Sequence, residues 1–156
     1  MKNFELHITT SCRQALIDHA KAALPNESCG YLGGNIQDGV VTVSTFYPMI
    51  NVDNSPEHFS FDPKEQFKVV KAARSANESL IAVYHSHPET PARLSEEDLK
   101  LFNDPNPVYI IVSLKDNQPD VQGYKVFKEN DHSIEVYKVN IIQHKEAINE
   151  VLSNAS

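Results

Sequence analysis

Apolar and polar positions alternate over residues 4–9, the period of a strand with one buried face. From Ser11 the period lengthens. Cys12, Leu16, Ala20, Ala23 and Leu24 share one 3.6-residue face, which predicts a helix over 11–24, capped by Ser11 and stopped by Pro25 and Asn26. Residues 28–34 read as a short strand ending in a glycine turn, and 40–48 as a strand rich in β-branched and aromatic residues. A polar loop over 51–56 leads to a short alternating strand at 57–61. Asp62 then caps, and Pro63 opens, a helix to about Asn77 with Phe67, Val70 and Ala73 facing inward.

Residues 80–84 are continuously apolar, as in a strand covered on both faces. A short helix is predicted over 95–102. Three strands, antiparallel with short turns, follow at 108–114, 121–127 and 133–139, and a last helix at 143–152. Strands interleaved with helices, then a run of hairpin strands, imply an α/β or α+β fold with a mixed sheet sandwiched by helices. The 156 residues show no repeat, low-complexity tract or long linker, so a single domain over 1–156 is expected.

Composition narrows the function. With 40% hydrophobic and 22% charged residues, the chain can bury a core. A formal net charge of −7 argues against a nucleic-acid binder, which needs a basic face to displace counterions. No unbroken apolar stretch at the start suggests a signal peptide or membrane span, so a cytoplasmic protein is expected. Cys12 and Cys29 alone make no disulfide framework and read as structural thiols.

Candidate chemistry sits in residues 84–98. His85 and His87 lie two apart at the end of the apolar strand, hence on the same face, with Cβ atoms roughly 6–7 Å apart. Pro88 and Pro91 shape a tight loop that delivers Ser95 and Asp98, three apart on the first turn of the next helix. Two neutral imidazoles and one carboxylate suit zinc, and three protein ligands leave the fourth tetrahedral position for water. The same residues have plainer readings. Ser95-Glu96-Glu97-Asp98 is also an ordinary helix start, with a cap and acids that complement the helix dipole. A His-x-His pair by itself is more often surface or core. A strand-borne pair, a proline-shaped loop and a helix-borne acid together make one coherent site. Tyr31 and Tyr84 flank it, with core packing the role that suits both.

His85-Ser86-His87, seven residues, Ser95, two residues and Asp98 resemble the signature of the JAMM (MPN+) zinc metallopeptidases. The segment 25–34 resembles the one that carries a catalytic Glu in the small stand-alone prokaryotic members, and 59–63 the one before their second helix. The resemblance thus spans about Pro25 to Asp98 and implies a JAMM/MPN-like fold. It also implies one Zn²⁺ per chain on His85, His87 and Asp98, with Ser95 as donor to the substrate oxygen. It alone selects Glu27 as the general base, since Glu57, Glu89, Glu96 and Glu97 are equally acidic.

The implied reaction is zinc-assisted hydrolysis of an amide or isopeptide bond after the C-terminal Gly-Gly of a ubiquitin-like or sulfur-carrier protein. A narrow cleft beside a strand edge would admit such a tail as an added strand. The short stretch between Asp98 and Val108 leaves no room for the large insertion with which eukaryotic deubiquitinases of this family grip ubiquitin. The alternatives are a non-catalytic MPN-type scaffold, whose relatives generally lack the metal ligands, and a zinc amidase acting on an unrelated peptide.

Overall fold

The structure is a computed structural model that describes residues 3–130 and 132–145. Among these described residues, seven strands and three helices follow in the order β1 (Glu5–Thr9), α1 (Thr10–Ala23), β2 (Cys29–Gln37), β3 (Val40–Met49), α2 (Pro63–Ser75), β4 (Ser79–His87), α3 (Glu96–Leu101), β5 (Val108–Ser113), β6 (Asp120–Asn130) and β7 (Ser133–His144). The mixed α/β class expected from the sequence is the one observed. The sheet closes on itself as a barrel in the order β1-β3-β2-β4-β5-β6-β7. β1 pairs in parallel with both β3 and β7, β4 pairs in parallel with β5, and the other neighbours are antiparallel.

Closure turns one face of the strands inward. Leu6, Ile8, Leu32, Ile81, Tyr84, Ile110 and Val112 meet Leu16, Ile17 and Ala20 of α1 in the main core. β5 is buried at every position, which is why its sequence is apolar without alternation. The β4–β5 pair, where His85 lies opposite Ile111 and His87 opposite Ser113, therefore gives the site a rigid floor.

Several local expectations are corrected. Helix α1 starts at Thr10, and its cap is Thr9, two residues before the expected Ser11; the Thr9 Oγ1 accepts from the Cys12 N–H at 3.1 Å. β1 runs straight into the helix, so its last residue already holds the extended backbone a cap requires. β2 does not end at Gly33-Gly34. It passes through them with a register irregularity, and the strands approach so closely there that only glycine fits: a Cβ on Gly34 would lie 1.9 Å from the Thr42 carbonyl oxygen. The turn comes at Asp38-Gly39, where φ values of 54° and 80° match the two-residue hairpin geometry that Asp-Gly favours.

The segment 57–61 is not a strand. Its backbone bonds go to the Asn51 and Ser55 side chains and to the Val52 N–H, and it pairs with none of the strands among the described residues. Helix α2 is capped by Asp62 and buries Ala73 as expected, but its other buried residue is Val69, with Val70 half-buried. Phe67 is 63% exposed, with the Lys71 ammonium 5.5 Å from its ring centre. Tyr31, Phe59, Phe61 and Leu80 already fill the space beneath the helix, leaving a seam only for Val69. Of the last helix expected over 143–152, Gln143 and His144 belong to β7, Lys145 is not helical, and 146–152 lie outside the described residues. No helix among the described residues is long and apolar enough to cross a membrane.

Candidate metal centre

β4 ends in His85, Ser86 and His87, and alternation along the strand puts both imidazoles on one face. After the proline loop, α3 brings Asp98 back over them. The two Nε2 atoms are 3.1 Å apart; His85 Nε2 lies 3.2 Å from Asp98 Oδ1, and His87 Nε2 lies 3.2 Å from Asp98 Oδ2. All three residues are buried, at 0%, 4% and 7% exposure.

The start of α3 fixes the carboxylate. Ser95 Oγ accepts from the Asp98 N–H at 3.0 Å, and Asp98 Oδ2 accepts from the Ser95 N–H at 3.0 Å, a reciprocal capping box. The cap reading and the site reading of these residues are thus both true: the cap is what aims Asp98. Ser95 Oγ serves as an acceptor there, so its own hydroxyl hydrogen is left for another partner.

The donor set fits a divalent cation. His87 Nδ1 lies 2.8 Å from the Pro91 carbonyl oxygen, which only accepts, so Nδ1 carries the hydrogen and neutral His87 presents a bare Nε2 to the centre. That lone pair faces an Asp98 oxygen that also only accepts, and either a proton or a metal ion must lie between them. Ligands about 2.0–2.1 Å from zinc at tetrahedral angles sit roughly 3.3 Å from one another, close to the separations found here.

Electrostatics agree with this geometry. Burial alone would raise the Asp98 pKa, but hydrogen bonds from His85, His87 and the Ser95 N–H hold it well below the usual carboxylate range. Burial also pushes His87 down, yet its bonds to Asp98 and the Pro91 carbonyl outweigh that and leave it raised. His85, fully enclosed, is lowered by burial. Its Nδ1 is the buried side-chain atom that lacks a hydrogen-bond partner among the described residues.

Glu27 lies just before β2, 5% exposed, and lines a cavity of about 750 Å³ with His87, Thr90, Ser95, Glu96 and Glu97. Burial pushes its carboxyl up to about 8, opposed by His87 and reinforced by Asp98, Glu97 and Glu57. Glu27, His87 and Ser95 thus line one cavity, and His85 and Asp98 adjoin it through their contacts with His87. Tyr84 is a core residue, and Tyr31 is half-buried under α2, where Gln66 Nε2 donates to its hydroxyl at 2.7 Å. Cys29 is fully buried with its thiol pushed up to about 12, chiefly by burial; it and Cys12 are unbridged.

Two residues escaped the sequence reading. Phe59 stacks on the His85 ring at 4.9 Å between centres, and Asn51 bonds to the backbone of Glu27. Neither belongs to a spacing that carries chemistry, and the polar run around Asn51 gives no sign of a buried side chain.

A barrel of mixed strands that closes a buried His-His-Asp cluster beside a carboxyl group defines a class of protein able to hold a cation next to an acid–base group. The chain belongs to the prokaryotic homologs of the JAB domain, whose model matches residues 9–140. It is 31% identical to the CysO-cysteine peptidase of Mycobacterium tuberculosis over 141 residues, covering 90% of this chain and 93% of that one. It is 30% identical over 118 residues to a desampylase of Haloferax volcanii, covering 72% and 84%. A solved protein from Desulfitobacterium hafniense superposes with a TM-score of 0.82 at 38% identity, covering 92% of this chain and 96% of that chain.

Proposed function

We propose that the chain, as one domain over residues 1–156, is a zinc-dependent peptidase or isopeptidase. Its substrate would be the amide bond after the C-terminal Gly-Gly of a ubiquitin-like or sulfur-carrier protein. The observation that carries the reading is the convergence of His85, His87 and Asp98 at 3.1–3.2 Å, beside a cavity that also takes in Glu27 and Ser95. Relatives named CysO-cysteine peptidase, desampylase and probable TtuB-protein conjugate cleaving protease support a small protein modifier as the substrate class.

His85, His87 and Asp98 would hold one zinc ion, which when bound supplies Lewis acidity toward a carbonyl and toward water. Glu27 takes the proton of the attacking water on its carboxylate and returns it to the leaving nitrogen. Its place on the cavity wall beside His87 and Ser95 puts the carboxylate within the same space as the proposed metal. Ser95, with its Oγ accepting from the Asp98 N–H, turns its hydroxyl hydrogen toward the substrate oxygen as charge develops there.

Zinc content by elemental analysis, beside turnover of a Gly-Gly tail joined to lysine, to cysteine or to a small amine, tests this reading. About one zinc per chain and release of the amine from one of these substrates are expected. Persistent absence of zinc after reconstitution would leave the scaffold reading instead. Ser95→Ala is expected to keep zinc and cut kcat roughly 100- to 1000-fold, the cost of one lost oxyanion donor. Unchanged kcat in that variant would remove Ser95 from the reaction.

A further inference from the structure

His85 belongs to β4 and Glu27 lies just before β2, yet one loop touches both. Glu27 precedes β2 and so lacks a strand partner for its backbone. Its N–H donates to the Ser55 carbonyl at 2.8 Å, and its carbonyl accepts from Asn51 Nδ2 at 3.0 Å. Both backbone groups of the acid–base residue are therefore held by residues 51–60.

Asn51 also shapes that loop. Its Nδ2 donates a second time, to the His58 carbonyl at 3.0 Å, while its Oδ1 accepts from the Asp53 N–H at 3.0 Å and the Ser60 N–H at 3.2 Å. Two donors and two acceptors are thus engaged by one side chain that is 8% exposed. The bonds to His58 and Ser60 bracket Phe59.

Phe59 in turn stacks on His85, with centres 4.9 Å apart and planes 22° apart, while Phe102 meets the same imidazole edge-on at 5.5 Å. A metal-binding histidine is ordinarily oriented by an oxygen that accepts from its other ring nitrogen. His85 Nδ1 has no such partner among the described residues, so aromatic contacts orient this ring in place of a hydrogen bond.

We infer that Asn51 and Phe59 are positioning residues. Asn51 locks the 51–60 loop so that a single element sets the Glu27 backbone and, through Phe59, the plane of the His85 imidazole. The inference rests on the function proposed above and adds a coupling between its acid–base residue and its metal ligand.

The test uses the full chain, with Zn²⁺ alone as the probe of the metal site and a Gly-Gly conjugate as the probe of turnover. Asn51→Asp keeps the acceptor oxygen and loses both donated bonds. Phe59→Leu keeps apolar bulk and loses the ring, while Phe59→Tyr restores it. Zinc affinity by chelator competition is expected to fall roughly 10- to 100-fold in Asn51→Asp and Phe59→Leu, the range for losing a ligand's orienting partner. It should return to near wild type in Phe59→Tyr. Repeating Asn51→Asp in a Glu27→Gln background separates the two arms, because the loss of zinc affinity should persist there without any contribution from Glu27. For Asn51→Asp saturated with zinc, kcat should drop at least tenfold with KM little changed.

Wild-type zinc affinity in both Asn51→Asp and Phe59→Leu would overturn the inference, as would equal losses in Phe59→Leu and Phe59→Tyr. Failure of the proposed function looks different: the wild-type chain itself would bind no zinc or turn over no conjugate.

Discussion

His87→Ala is expected to lose the metal and all measurable turnover while still folding. The ring does three things in one place. Its Nε2 faces the centre 3.2 Å from Asp98, its Nδ1–H ties down the Pro91 carbonyl at 2.8 Å, and its ring edge walls the cavity shared by Glu27 and Ser95. Alanine removes a ligand and frees the loop that leads to α3, so Asp98 loses its alignment along with its neighbour. Zinc affinity is expected to fall by more than 100-fold, beyond what loss of an orienting contact produces. The fold should survive, because β4 is held by β2 on one side and β5 on the other and neither pairing uses the imidazole. Elemental analysis with circular dichroism is the check. A folded His87→Ala protein that keeps one zinc per chain would show that the metal sits elsewhere.

The site was more legible in the sequence than the fold around it. Two histidines on alternate strand positions share a face whatever sheet they join, and Ser95 with Asp98 share a helix turn whatever helix that is. These relations are local, so spacing suffices to state them. The closing of the sheet is different, because it depends on β1 finding β7 across the whole chain, and no short window encodes that pairing. The inward face of α2 was misread for the same reason. Phe67 looks like a core residue by type, but the space it would fill is taken by Phe59 and Phe61 from a loop outside the helix. Asn51 and Phe59 mark the same limit within the site. Their importance lies in which backbone groups and which ring they meet, and both partners are brought to them by tertiary structure.

Glu27→Gln is expected to abolish turnover, keep zinc and make the metal-free protein more stable at alkaline pH, three effects with one cause. The amide keeps the size and hydrogen-bonding shape of the side chain, so the ligand cluster is undisturbed. It can neither take a proton from water nor return one to the leaving nitrogen, and losing such a group typically costs about 100- to 10,000-fold. The stability effect follows from burial. In the folded, metal-free protein the Glu27 carboxyl titrates near 8 against an ordinary value of 4.5, so the folded state holds the proton more tightly than the unfolded chain does. Its contribution is fully favourable below pH 4.5, declines as the pH rises toward 8, and is lost above that. Glutamine has no charge to bury and escapes the decline. Metal-free Glu27→Gln should therefore exceed wild type by on the order of 2–4 kcal/mol at pH 8–9, a Tm several degrees higher, with the gap closing at low pH. Thermal unfolding in chelator across that range reads the difference directly. A gap that did not change with pH would mean that Glu27 titrates alike in the folded and the unfolded chain, so that burial does not oppose its charge.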